Sequence, residues 1–211
     1  FSTVLRVLCS LPPGKAKFTL IDPVGLGQSF SALMHLADFD ESLVGARIWT
    51  EPAHIEKRLS ELTEHIEKVI QKYLRNRYHT IDEYNREVGP MAEAYRFLVV
   101  ADFPTGFSEL ALERLASIAR SGARCGVILL ILRDTRQKLP AAADRATLES
   151  GGLTIEAVAN GFIARDKTVS EGMLAISKAG VDPRKLLEVI EASAFRSPYY
   201  QAKGNAMLAR D

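Results

Sequence analysis

Two apolar runs constrain this chain more than anything else in it: Phe97-Leu98-Val99-Val100-Ala101 and Val127-Ile128-Leu129-Leu130-Ile131-Leu132. Each has the length and β-branched content of a strand buried on both faces, the habit of parallel sheets covered by helices. Between them Leu110, Leu112, Leu115, Ile118 and Ala119 recur at helical spacing, and Gly122 and Gly126 punctuate the exit. Strand, helix, strand reads as a right-handed βαβ crossover, so the expected fold class is α/β with a mostly parallel sheet and covering helices. The first strand ends at Asp102, and in such sheets ligands gather beyond the carboxyl ends of the strands. An acid delivered there suits holding magnesium or orienting a water. An acid that caps the next turn is the plain alternative.

The amino-terminal stretch carries Val4, Leu5, Val7, Leu8 and Leu11 in a helical pattern, which Pro12-Pro13-Gly14 ends. Lys17-Phe18-Thr19-Leu20-Ile21-Asp22 reads as a strand. Gly25-Leu26-Gly27 follows and invites a dinucleotide reading, but the third glycine of GxGxxG is missing, so a plain turn is the better expectation. Residues 34–50 read as loop, with a short strand near Ala46-Arg47-Ile48-Trp49, and His35 lies in that solvated loop. Glu51-Pro52 opens a long helix with Ile55, Leu59, Leu62, Ile66, Val69, Ile70, Tyr73 and Leu74 as its apolar stripe. Its polar face offers a Glu64–Lys68 pair at i,i+4, and His54 and His65 make no metal signature.

Lys72, Arg75, Arg77 and Arg86 form a basic cluster interleaved with Tyr73, Tyr78 and Tyr84. Lys72, Arg75 and Arg77 are the candidates for contact with a DNA backbone, although cations at a helix end explain the pattern as simply. Thr80-Ile81-Asp82-Glu83-Tyr84-Asn85 reads as a capped short helix. Residues 141–152 read as loop, and Leu153-Thr154-Ile155-Glu156-Ala157-Val158 and Gly161-Phe162-Ile163-Ala164 as a hairpin turned at Asn160-Gly161.

Composition narrows the class. The 211 residues are 47% hydrophobic and 25% charged, enough apolar material for a real core. Lys plus Arg number 27 against 26 Asp plus Glu, so net charge makes no case for nucleic acid. Cys9 and Cys125 form no ligand cluster and read as buried, reduced thiols. No apolar run approaches the ~20 residues of a membrane span, and no signal-peptide pattern appears. The expected compartment is the cytoplasm.

The run LASIARSGARCGVILLILRDTRQKLP resembles the corresponding segment of FtsK/SpoIIIE-type DNA-translocating ATPases. In that family a Walker B strand ends in Asp-Glu, and a later strand ends in Ala-Thr-Gln-Arg-Pro. Asp102 matches the Walker B acid, and Phe103 stands where the catalytic glutamate would be. The Ala119-to-Gly126 turn matches well, Thr135-Arg136-Gln137 loosely, and Leu20-Ile21-Asp22-Pro23 matches a strand ending Ile-Asp-Pro. The resemblance implies a RecA-like P-loop NTPase sheet, ATP and Mg2+ as cofactors, and DNA as a partner; a homo-oligomer is a separate expectation. It implies Asp102 as catalytic and magnesium-holding residue, with Asp22, Arg124, Thr135 and Gln137 as nucleotide-binding candidates at the same sheet edge. No GxxxxGK[ST] loop occurs in the sequence. Without that nest and lysine the chain alone is expected to bind ATP poorly or not at all, and not to hydrolyse it.

From residue 168 the chain changes character. The run EGMLAISKAGVDPRKLLEVIEASAFRSPYYQAKGNAMLARD resembles the C-terminal helical domain of β-hydroxyacid dehydrogenases of the 3-hydroxyisobutyrate and 6-phosphogluconate type. Asp182 and Pro183 read as N-cap and first residue of one of its helices. That resemblance implies NAD(P) as an alternative cofactor, with Ser197 and the Phe195-Arg196 turn near a substrate cleft. The family's Lys-x-x-Asn pair and GxGxxG fold are both missing from the sequence, so neither acid/base nor cofactor is supplied. The expected organisation is an α/β core over residues 1–166 and a small all-α segment over 167–211, a fusion, a fragment of one, or a recombined reading frame. Three functions follow: an incomplete FtsK-like ATPase domain, a dehydrogenase fragment, or a non-catalytic oligomerisation scaffold.

Overall fold

The computed structural model describes residues 2–166, apart from positions 46, 76, 144, 150, 151, 159 and 160. The chain divides into two compact units, Phe1–Leu148 and Glu149–Asp211. The expected dehydrogenase-like helices, with Ser197 and the Phe195-Arg196 turn, lie outside the described residues, as does the whole of the expected 167–211 segment.

The first unit is an α/β layer structure. Helix α1 (Ser2–Ser10) leads to strand β1 (Ala16–Ile21), and β2 (Tyr95–Phe103) and β3 (Val127–Arg133) complete a three-stranded sheet in the order β1-β2-β3. Both pairings are parallel, as the two apolar runs required. Helix α5 (Glu109–Ser121) makes the crossover from β2 to β3. Ser108 starts it, its Oγ accepting from Ala111 N at 3.1 Å.

Strands β1 and β2 are largely buried on both faces, whereas β3, expected to be so, is buried at Val127 and only half-buried beyond it, with Leu132 exposed, because it is an edge of the three strands. On one face Leu98 and Val100 pack with Ile55, Leu59, Leu62 and Ile66 of α3 (Pro52–Val69) and with Leu112 and Leu115 of α5. Helix α3 begins with Pro52 at its first turn, where a missing N–H costs nothing. A π-helical turn, Ile70–Leu74, carries its stripe on to Leu74. On the other face Phe18, Leu20, Phe97 and Val99 pack with Val4 of α1, Phe30 and Leu33, and Val44 of α2 (Glu41–Val44). Phe18 and Phe97 stack at 5.0 Å between centroids, worth roughly 0.5–1.5 kcal/mol beyond their burial.

Residues 34–50 depart from expectation. A 3-10 helix runs Gln28–Asp38 and α2 follows it, while the expected strand shrinks to a single parallel bridge between Trp49 and Ile21. Phe30 and Leu33 recur every three residues, the period of a 3-10 turn, and both are buried. Cys9 is exposed where a buried thiol was expected, whereas Cys125 is buried. Burial raises the Cys125 thiol above its ordinary range. Glu64 accepts from Ser60 Oγ at 3.2 Å in place of pairing with Lys68.

Helix α4 (Ile81–Val88) is capped by Thr80, whose Oγ1 accepts from Glu83 N, as expected. Residues 141–152 contain a short helix, α6 (Arg145–Glu149), where only loop was expected. In the second unit β4 (Leu153–Val158) and β5 (Gly161–Asp166) pair antiparallel, closing at Val158 and Gly161. That is the hairpin the Asn-Gly step required.

Candidate functional site

The three parallel strands end together at Ile21, Phe103 and Arg133, and the loops beyond them form one edge. Asp22 leads the first loop and is wholly buried. Its Oδ1 accepts from Gly25 N at 2.9 Å, and its Oδ2 accepts from Gly27 N at 3.1 Å and Ser29 N at 3.0 Å. The loop thus folds into a nest of backbone N–H groups around an internal carboxylate. A β-carbon on Gly25 would stand 2.6 Å from Oδ2, which is why glycine occupies it. The Gly-x-Gly is therefore filled by the chain's own acid, and the N–H groups a dinucleotide would need are taken.

Asp102 stands differently. Val100 pairs with Ile131 and Phe103 with Arg133, so β2 carries one residue more than β3 across this step. That is a β-bulge, and Asp102 sits in it with φ of 52°, in the left-handed region that asparagine, aspartate and glycine tolerate best. The extra residue changes the parity of the strand. Leu98 and Val100 face the α3–α5 layer, and Val99 and Ala101 face the other. Simple alternation would send Phe103 with Ala101. Instead Phe103 lies in the α3–α5 core, 1% exposed, edge-on to Phe107 at 5.3 Å. Asp102 is half-buried, and among the described residues no hydrogen bond reaches its carboxylate.

The remaining loops are tied to one another. Thr105, whose N–H bonds Asp102 O at 3.0 Å, donates from Oγ1 to Gln137 Oε1 at 3.1 Å. A β-carbon on Gly106 would stand 2.8 Å from Pro23 Cβ, so the loop after β2 is pressed onto the loop after β1. Asp134 is turned to Arg136, whose hydrogen bonds hold its carboxyl below the usual range. Thr135 is exposed. Asp22, Asp102, Thr135 and Gln137 thus share the carboxyl edge. Arg124 does not: it lies in the 3-10 turn Ala123–Cys125 before β3 begins, at the amino edge, because the crossover helix has already carried the chain back. The sequence gives no signal for Arg133, whose Nε at this edge is buried without a partner among the described residues.

Lys72, Arg75 and Arg77 are exposed, but the tyrosines among them are turned inward on each other. Tyr84 meets Tyr73 at 4.6 Å and Tyr78 at 5.6 Å. Lys72 lies over Tyr73, and a hydrogen bond to that ring's hydroxyl raises its pKa. Arg77 pairs with Glu87 and covers Tyr78, whose hydroxyl donates to Glu87 at 2.7 Å. The aromatic half of the expected nucleic-acid patch is thus internal packing.

Among the described residues no group of three or more His, Cys, Asp or Glu side chains could hold a metal. The carboxyl edge offers one uncommitted carboxylate, at Asp102, and no open cradle of N–H groups. No helix among the described residues is long and apolar enough to cross a membrane.

No family model matches the chain, and no curated protein does. Solved structures do. The pCW3 conjugation coupling protein TcpA, in its monomer form with ATPγS, is 19% identical with a TM-score of 0.50, over 71% of this chain and 41% of that one. The cytoplasmic domain of the Thermomonospora curvata type VII secretion ATPase EccC is 22% identical with a TM-score of 0.51, over 70% and 17%. The cytoplasmic domain of EssC is 16% identical with a TM-score of 0.51, over 69% and 28%. At these identities the likeness is one of fold, and the chain spans less than half the length of each.

Proposed function

We propose that the unit Phe1–Leu148 is a nucleotide-motor-like core, an incomplete FtsK-type ATPase or DNA-translocase domain that is not hydrolytically competent as this chain. The observation that carries it is Asp102: an acid whose carboxylate meets no hydrogen bond among the described residues, held on a bulge at the carboxyl edge of a β1-β2-β3 parallel sheet. The fold likeness to a secretion ATPase and to a coupling protein with ATPγS supports it. Magnesium-ATP, when bound, supplies the phosphoryl group that such a motor transfers. This chain's part is to present the Asp102 carboxylate toward magnesium or a water. Thr105 and Gln137 brace the loop that carries it. Phe103, buried in the core, offers no base at the position after the acid, so the attacking water is left without its partner. Asp22 keeps its loop closed. DNA as the track belongs to the same reading, with exposed Lys72, Arg75 and Arg77 as backbone contacts, and so does a second copy as partner.

The test is calorimetric titration of this chain and of Asp102→Ala with magnesium-ATP, joined to NMR line broadening by Mn2+. We expect no resolved nucleotide heat for either chain. We expect Mn2+ to broaden resonances around Asp102, and Asp102→Ala to remove that broadening. Tight nucleotide binding by this chain, or broadening indifferent to the substitution, would overturn the reading.

A further inference from the structure

At the amino end of the sheet, away from Asp102, the register sets two cations side by side. Lys17 of β1 is the cross-strand partner of Arg96 of β2. Parallel partners point to the same face. The next pair, Phe18 and Phe97, stacks in the α1–α2 layer, so Lys17 and Arg96 face the α3 layer. There α3 contributes His65, which feels the charges of Arg96, Lys68 and Lys17. The carboxylates in reach are few. Glu93 acts on His65, but its Oε2 already accepts from Tyr73 Oη at 3.3 Å, while Asp40 acts on Lys17.

The cluster is left unbalanced. Among the described residues Lys17, Lys68 and Arg96 form no ion pair. Arg96 Nε and His65 Nε2 are both shut away from solvent without a hydrogen-bond partner among the described residues. Like charges directly opposite in a sheet repel, and a buried donor left unmade costs free energy of its own. A compact anion with several acceptor oxygens relieves the repulsion, since a guanidinium and an ammonium meet it with charge-assisted bonds.

We propose that Lys17, His65, Lys68 and Arg96 form a binding site for a phosphate group, at the opposite end of the sheet from Asp102. The phosphate arrives either as a free anion or as part of a nucleic-acid backbone, and the two sources make the same contacts. Burial first, and Arg96 next, hold the His65 imidazole down to about 4, so it is neutral at neutral pH and a bound phosphate would draw it back up.

The experiment follows the His65 ring and Arg96 Nε resonances of the whole chain during titration with sodium phosphate, against sodium chloride at equal ionic strength. A saturable shift with phosphate alone is expected, and Arg96→Met should weaken it roughly tenfold or more. Lys17→Met gives the same reading should the Arg96 variant fail to fold, and Arg120→Met, an exposed cation of α5, should change nothing. Fluorescence anisotropy of a labelled single-stranded oligonucleotide separates the sources. Binding that Arg96→Met weakens identifies a nucleic-acid backbone, and its absence beside a phosphate response identifies a free anion. Shifts that are linear, equal in chloride, or untouched by both substitutions would overturn the site.

Discussion

The carboxylate of Asp22 occupies the place where a side chain on Gly25 would begin, 2.6 Å from a β-carbon built there. Three backbone N–H groups converge on that carboxylate inside the protein. Asp22→Ala leaves them buried and unmatched, and should cost on the order of 3 kcal/mol. Gly25→Ala should destabilise by pushing the carboxylate off its donors. Urea denaturation of both variants checks this. Midpoints equal to that of the parent chain would mean the nest does not hold the loop.

Asp102 adds no stability to the fold if its role is chemical. At φ of 52° glycine is at ease and a β-branched residue is not. Asp102→Gly should therefore leave the melting temperature unchanged or raise it, by up to about 1 kcal/mol of added stability. Asp102→Val should lower it clearly. A large loss with glycine would reassign Asp102 from the site to the fold.

Restoring an acid after Asp102 should not restore hydrolysis. Phe103 is buried against Phe107 in the α3–α5 core, so Phe103→Glu places a carboxylate where it has no water, and Phe103→Ala should cost about 3–5 kcal/mol. Thermal melts and a phosphate-release assay read both effects. ATP turnover by a folded Phe103→Glu chain would contradict the burial argument.

His65 predicts a dependence on acid. In the folded chain burial and Arg96 hold it down to about 4, against an ordinary value of 6.5. Between those values the unfolded chain takes up a proton that the folded chain refuses. The stability tied to neutral His65 is thus complete above 6.5 and shrinks as pH falls toward 4. Denaturation at about pH 7 and about pH 5 should show a smaller acid loss for His65→Gln than for the parent, in a window where histidine is the side chain expected to titrate.

Much of this was legible in advance because it is local. The runs at 97–101 and 127–132, the stripe from Ile55 to Leu74, the Thr80 cap and the Asn-Gly hairpin each carry their period or turn chemistry on their face. The α/β class followed, and the fold likenesses agree with it. The 3-10 run at Gln28–Asp38 is not legible, because one three-residue step from Phe30 to Leu33 is too short a period to tell a 3-10 turn from a loop. Arg124 lies at the amino edge and not the expected carboxyl edge, because the crossover returns the chain to the amino end before Gly126. The function of Gly25-Leu26-Gly27 was readable from Asp22 three residues earlier, the offset at which an aspartate bonds the turn behind it. The parity change at Asp102 was not readable, since a bulge leaves composition and hydropathy as they were.

That bulge has a bearing on how relatives of this chain are compared. Counted along the sequence, Phe103 follows Asp102 by one step; counted by layer, it stands with Val100 and Leu98. A partner sequence lacking the inserted residue, aligned here without a gap, would set a core side chain beside an edge one. The resulting mismatch would pass for lost chemistry. A one-position gap between Val100 and Phe103 keeps each layer with its own kind.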